Sequence, residues 1–290
     1  MTLHATLLAL AAALQGPGVA LDLPDKYKVA APSPDAVIAR VDGVPVRASD
    51  LAPLLWDWRA DEALTDLISY QMVKAEADAK GVRVTVEEVD GAMGKQLEQM
   101  RASLQPGLEL DTALRQQGFT RSRLYLRVAS QLLVEKLAMR QFDPKEYVKV
   151  STIVVKPADE QATSLSAALK LAEGAYARLA GGEPWDSVLA TVRDPSGTPS
   201  GGPLGWRAVA AFPDSVRQEF EKIGEGKAAR PVQTANGIQI FRVDRLGRNA
   251  VGPEVEELRE VYLTGARQAY ATSLRERTKI ERFLGRSGGA

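Results

Sequence analysis

Two β-branched, apolar runs bracket most of the second half of this chain: Val148 to Val155 and, well downstream, Ile238 to Asp244. Runs of this kind read as strands buried in a sheet, because branched side chains pack well on a pleated surface. What lies between them limits how they can pair. A helix with Leu165, Leu169, Ala172, Tyr176 and Leu179 on one face stops at Gly181-Gly182, and Trp185 heads a second, short helix. The glycine-rich block Gly201-Gly202-Pro203-Leu204-Gly205-Trp206 follows, then a helix over about Asp214 to Lys222 and a strand near Ala229 to Gln233. The resulting β-α-α-β-α-β-β order suits a small antiparallel sheet flanked by helices, an α+β layout.

The first half reads as helical. Leu21 to Asp35 is an extended leader with Pro24, Pro32 and Pro34. Val37 to Val46 alternates around Asp42-Gly43, a dipeptide suited to a type I′ turn because both central residues need positive φ. Ser49 or Asp50 is expected to cap a short helix ending near Trp58, with one of Trp56 and Trp58 exposed. A longer helix then carries Leu64, Leu67, Ile68, Met72, Ala75 and Ala79 on one face and stops at Gly81. Thr85-Val86-Glu87-Glu88 has capping-box spacing, so a third helix starts there and runs to about Leu104. Gly118 ends a short fourth helix, and Thr120 opens a fifth with Leu124, Val128, Leu132 and Leu137 in register. After Gly252-Pro253 one charged helix is expected through about Leu284.

Composition removes whole classes of chemistry. Of the 290 residues none is cysteine and one, His4, is histidine, so the usual zinc ligand sets, thiol nucleophiles and histidine-based triads are excluded. No cofactor is expected. Lys+Arg and Asp+Glu are both 37, which implies no global pull toward nucleic acid or anionic membrane. Arg121, Arg123 and Arg127 read as solvated charge on a mixed helix face. Gly224-Glu225-Gly226-Lys227 lacks the first glycine of a P-loop and is followed by Ala228, so no ATP machinery is expected. Residues 1–20, with the apolar run Leu7 to Leu14 and small residues at Gly18-Val19-Ala20, read as a secretory signal, too short to span a membrane. An extracytoplasmic, periplasmic or secreted location follows as an expectation.

The order Asp194-Pro195-Ser196, then Gly201 to Trp206, then Thr234-Ala235-Asn236-Gly237-Ile238-Gln239-Ile240 resembles the parvulin-type peptidyl-prolyl isomerase (rotamase) domain of the SurA and PrsA foldases. The Val41-Asp42-Gly43 hairpin and the helices after it resemble the SurA N-terminal chaperone region, and Ala269-Tyr270 to Glu281 its returning final helix. After the signal read at 1–20, the resemblance implies a helical SurA-like domain at 36–142. It further implies a parvulin domain at 147–247 and a C-terminal helix at 253–284 that packs back on the N-terminal domain.

Carried over residue by residue, the resemblance puts Asp194 beside the rotating carbonyl, Leu204 in the proline pocket and Thr234 just before the last strand. Phe212 stands where a pocket methionine is expected and Val216 where a phenylalanine lies, while Pro203 replaces the motif aspartate. Thr152 and Gln239 stand in place of the two family histidines; each has a donor and an acceptor, so they can hydrogen-bond one another. The implied site is therefore Asp194, Thr152, Gln239 and Thr234 for catalysis, with Leu204, Phe212 and Val216 for binding.

Two readings remain open. One is an exported, ATP-independent foldase with weak isomerase activity toward unfolded or nascent polypeptides that contain prolyl bonds. The other is a non-catalytic holdase whose parvulin domain is degenerate.

Overall fold

The structure, a computed structural model, describes residues 23–105, 107–193, 197–198 and 200–284. The signal segment 1–20 and Asp194 therefore lie outside the described residues. The chain divides into two compact units, one from residues 1–140 with 267–290, the other from residues 141–266.

The first unit begins with an antiparallel hairpin, β1 (Val37–Val41) and β2 (Val44–Arg47). Asp42 has φ 50° and Gly43 φ 84°, the two positive angles that a type I′ turn requires. The next element corrects the expectation of two helices: a single helix, α1, runs over Ala48–Ala79. Arg59 to Ala63 contains no glycine or proline to break it, and Pro53 lies close enough to the start to remove only one hydrogen bond, the one to the Ser49 carbonyl. The Asp50 carboxylate caps the start from inside the helix, accepting from the Arg47 backbone N–H at 2.8 Å.

Helices α2 (Val86–Ala102), α3 (Leu110–Gln116) and α4 (Arg121–Met139) follow. The capping box at Thr85 is formed in both directions, with 3.2 Å from the Glu88 N–H to the Thr85 hydroxyl and 2.8 Å from the Thr85 N–H to the Glu88 carboxylate. Tyr70, Val89, Met93, Leu124, Tyr125 and Val128 make the core of this unit. The arginines of α4 are paired: Arg121 with Asp111, and Arg123 and Arg127 both with Asp66.

The second unit is a four-stranded antiparallel sheet of order β4-β3-β6-β5, made of β3 (Tyr147–Val155), β4 (Gly201–Ala208), β5 (Val232–Thr234) and β6 (Gly237–Leu246). Helices α5 (Ala162–Ala180) and α6 (Trp185–Thr191) cover one face, where Ile153, Val155, Ala172, Val188, Ile238 and Ile240 are buried. Helix α7 (Asp214–Ile223) covers the other, with Val148, Val150, Val216, Phe220, Phe241 and Val243. Both Trp185 and Trp206 are core residues.

Helix α8 spans Pro253–Arg277 and stops short of the expected Leu284. The Thr278 hydroxyl donates to the Leu274 carbonyl at 2.7 Å just past its last residue. The part of α8 in the first unit buries Tyr270 and Leu274. Glu76 of α1 accepts from the Tyr270 hydroxyl at 2.9 Å and from the Arg277 guanidinium at 2.6 Å, and pairs with Lys80 at 2.7 Å. Arg277, then Lys80, then Tyr270 hold the Glu76 carboxyl down at about 2, against the opposing effect of burial. Arg267 adds an ion pair to Glu135 at 2.9 Å.

Candidate functional site

The site is laid down by register. In β3, Val148, Val150 and Thr152 alternate onto the α7 face, and in β6 Gln239, Phe241 and Val243 do the same. Thr152 lies opposite Phe241, and Gln239 opposite Val154, so the Thr152 and Gln239 side chains meet diagonally. Gln239 Nε2 donates to Thr152 Oγ1 at 3.5 Å, a long contact between two buried side chains. At the other end of the amide, the Thr234 hydroxyl lies 2.8 Å from Gln239 Oε1 and accepts from the Asn236 N–H at 3.1 Å. A hydroxyl has one proton, so the shorter bond to Gln239 is favoured over the 3.1 Å approach to the Gly237 carbonyl. The result is a neutral hydroxyl–amide–hydroxyl chain in which each proton has an assigned direction.

The apolar part adjoins it on the same sheet face. Phe212 meets Phe220 edge-to-face at 4.9 Å and Phe241 at 5.4 Å between ring centroids, the favoured geometry for aromatic pairs. Leu204 and Phe212 are partly buried against this cluster, whereas Val216 is 2% exposed and belongs to its floor. Leu204 reaches it through a bulge: Val150 pairs with Gly205 and Ser151 with Pro203, leaving Leu204 as the extra residue. Pro203 is tolerated because β4 is an edge strand. Gly201 is dictated by approach, since a Cβ there would fall 2.2 Å from the Thr152 carbonyl oxygen.

Of the residues implied by sequence, Thr152, Gln239 and Thr234 are brought into one chain of contacts, and Leu204, Phe212 and Val216 into one apolar cluster. Asp194 lies outside the described residues. Sequence reasoning missed Phe220 and Phe241, although Phe220 falls one helical turn after Val216 and Phe241 two residues after Gln239. It also missed the partly buried cluster on the opposite face, where Ser151 donates to Asp244 at 2.7 Å and Arg242 donates to Asp244 at 2.6 Å while lying 4.8 Å over the Trp185 ring. No group of three or more His, Cys, Asp or Glu among the described residues is placed to hold a metal ion.

Residues 137–260 match the family model of the PPIC-type PPIase domain. Chaperone SurA of Chromobacterium violaceum is 24% identical over 219 residues, covering 68% of this chain and 50% of that protein. Chaperone SurA of Pseudomonas aeruginosa is 23% identical over 220 residues, covering 67% and 52%. The chain thus spans about half the length of the curated relatives it matches. Among solved structures, the peptidylprolyl isomerase PrsA from Bacillus cereus aligns over 86% of this chain and 95% of its own, at 18% identity and a TM-score of 0.43. Foldase protein PrsA from Streptococcus pneumoniae aligns over 85% and 96%, at 15% identity and a TM-score of 0.37. Residues 137–260 thus match the PPIC-type PPIase domain, and about two thirds of the chain is similar in sequence to Chaperone SurA.

Proposed function

We propose that this chain is an exported, ATP-independent foldase that holds unfolded polypeptides and turns prolyl bonds weakly. A prolyl isomerase makes no covalent bond; it binds the twisted amide better than either planar isomer, lowering a rotation barrier of roughly 18–20 kcal/mol. The apolar cluster of Leu204, Phe212 and the two phenylalanines beneath suits a proline ring. The observation that carries the reading is the Thr234–Gln239–Thr152 chain beside it. It supplies fixed neutral dipoles to a rotating carbonyl but no group able to change charge near neutral pH, so modest acceleration is the expected outcome.

The test is a proline-limited refolding assay on the chain without residues 1–20, run beside suppression of aggregation on the same sample. Uncatalysed X–Pro isomerisation takes tens to hundreds of seconds, so even small acceleration is measurable. Asp194→Ala is expected to lower the isomerase rate and leave aggregation suppression intact. No acceleration, with suppression retained, selects the second reading, a holdase with a non-catalytic parvulin unit. That second reading draws on Trp56 and Trp58, which are 69% and 63% exposed on α1 and offer apolar contact outside the parvulin unit. Export rests on the Leu7 to Leu14 run; N-terminal sequencing of the secreted protein checks it. No helix among the described residues is long and apolar enough to cross a membrane.

A further inference from the structure

We propose that residues 52–68 of α1 form a groove for an extended apolar peptide segment, and that residues 278–284 of the same chain are a strap that competes for it. The inference rests on the client-binding reading above and names the place and the control. The groove has a volume of about 660 Å³. Leu55, Trp56, Leu64 and Ile68 of α1 line it, and Phe283 and Leu284 of the strap border the same space. Trp56, Leu55, Phe283 and Leu284 all keep much of their apolar surface in water, so the groove is lined without being filled.

The kind of occupant is indicated by the segment already beside the groove. Beyond the end of α8 the chain is non-helical and carries adjacent aromatic and aliphatic side chains, Phe283-Leu284, to the groove wall. Arg282 anchors this segment by donating from Nη2 to Thr65 Oγ1 at 2.6 Å. The remaining attachments are weak. The Arg282–Asp61 pair is 3.7 Å long, and Asp61 is 79% exposed, where ion pairs contribute little. Arg282 Nε is buried with no hydrogen-bond partner, which penalises the docked position. Phe283 is 73% exposed and so realises little of its burial. A tethered segment that is near, apolar and loosely held is a competitor that an incoming chain can displace.

The experiment uses the full chain and a labelled peptide of residues 278–284 as the probe, read by fluorescence anisotropy. Phe283→Ser combined with Leu284→Ser removes the tethered competitor without touching the core. It is expected to bind the probe roughly five- to tenfold tighter than the wild type. Trp56→Ala is expected to weaken binding in both backgrounds. Equal probe affinity with and without the strap side chains overturns the proposal, as does indifference to Trp56→Ala. Dimerisation of the strap variant by light scattering also overturns it, because the groove is then a face for a second copy. Failure of the client reading is distinct: the wild type and the strap variant alike would leave aggregation of an unfolded protein unchanged.

Discussion

The sheet of the parvulin unit and the N-terminal hairpin are built from the same kinds of residue and end in opposite environments. In β3 and β6, Val148, Val150, Ile153, Ile240 and Val243 are fully buried. In the hairpin, Val41 and Val44 are 63% and 66% exposed, and every residue of β1 faces water. A two-stranded hairpin is marginal by itself, whereas a four-stranded sheet covered on both faces has its own core. The difference teaches that the same apolar side chains build a core in one region and are left accessible to solvent in the other.

The largest test of this contrast is to end the chain after Ala266. That removes the buried Tyr270 and Leu274, the Tyr270 and Arg277 partners of Glu76, and the Arg267 partner of Glu135. Loss of two such side chains costs at least ~4 kcal/mol, so the helices of residues 48–139 should melt far earlier by circular dichroism while residues 141–266 keep their transition. Unchanged melting of those helices would show that they stand alone. Next in size, Ile240→Ala is expected to cost about 3 kcal/mol, and Val41→Ala under about 0.5 kcal/mol. Comparable losses in urea unfolding would erase the distinction between the two regions.

Acid gives a smaller effect with a defined sign. Glu76 is held at about 2 in the folded chain against an ordinary 4.5. Its contribution is complete above pH 4.5 and is lost as pH falls from there toward 2. Discounted for its closeness to solvent, this is on the order of 1–2 kcal/mol. Glu76→Gln should flatten that part of the stability–pH curve; an unchanged curve would remove Glu76 from the account. The smallest effect is catalytic. Any isomerase activity should be flat from pH 5 to 8, because the parvulin unit contains no histidine. Thr152→His with Gln239→His should raise the rate more than either change alone and bring in a pH dependence. Wild-type activity that titrates near pH 6.5 would contradict the neutral chain.

Local signals were readable where one residue's conformation or one cap decides the outcome. Asp42-Gly43 and Thr85 to Glu88 are of that kind, and so is the β-α-α-β-α-β-β order of residues 147–246. The Thr152–Gln239 contact was legible only through the family resemblance, which put both residues in the places of two histidines. Features set by tertiary approach were not. The continuity of α1 past Trp58 depends on the absence of a breaker, a weak signal, and both tryptophans proved exposed where one was expected. Nothing local reveals that Leu204 is a bulge residue or that Gly201 sits against the Thr152 carbonyl, since each depends on the partner strand.

The split composition of the first unit has a consequence in time. Residues 141–266 are continuous, so every contact of the parvulin unit is available once Ala266 has been made. The helical unit draws on residues on both sides of that insert, and Glu76 must wait for Tyr270 and Arg277, about two hundred positions later. Loop closure across such a distance is slow compared with local contacts, and chains emerge from synthesis N-terminus first. The parvulin unit is therefore positioned to fold before the helices that precede it in sequence are complete. Until then the core around Tyr70, Met93 and Tyr125 can form, but the surface that packs on Tyr270 and Leu274 stays exposed.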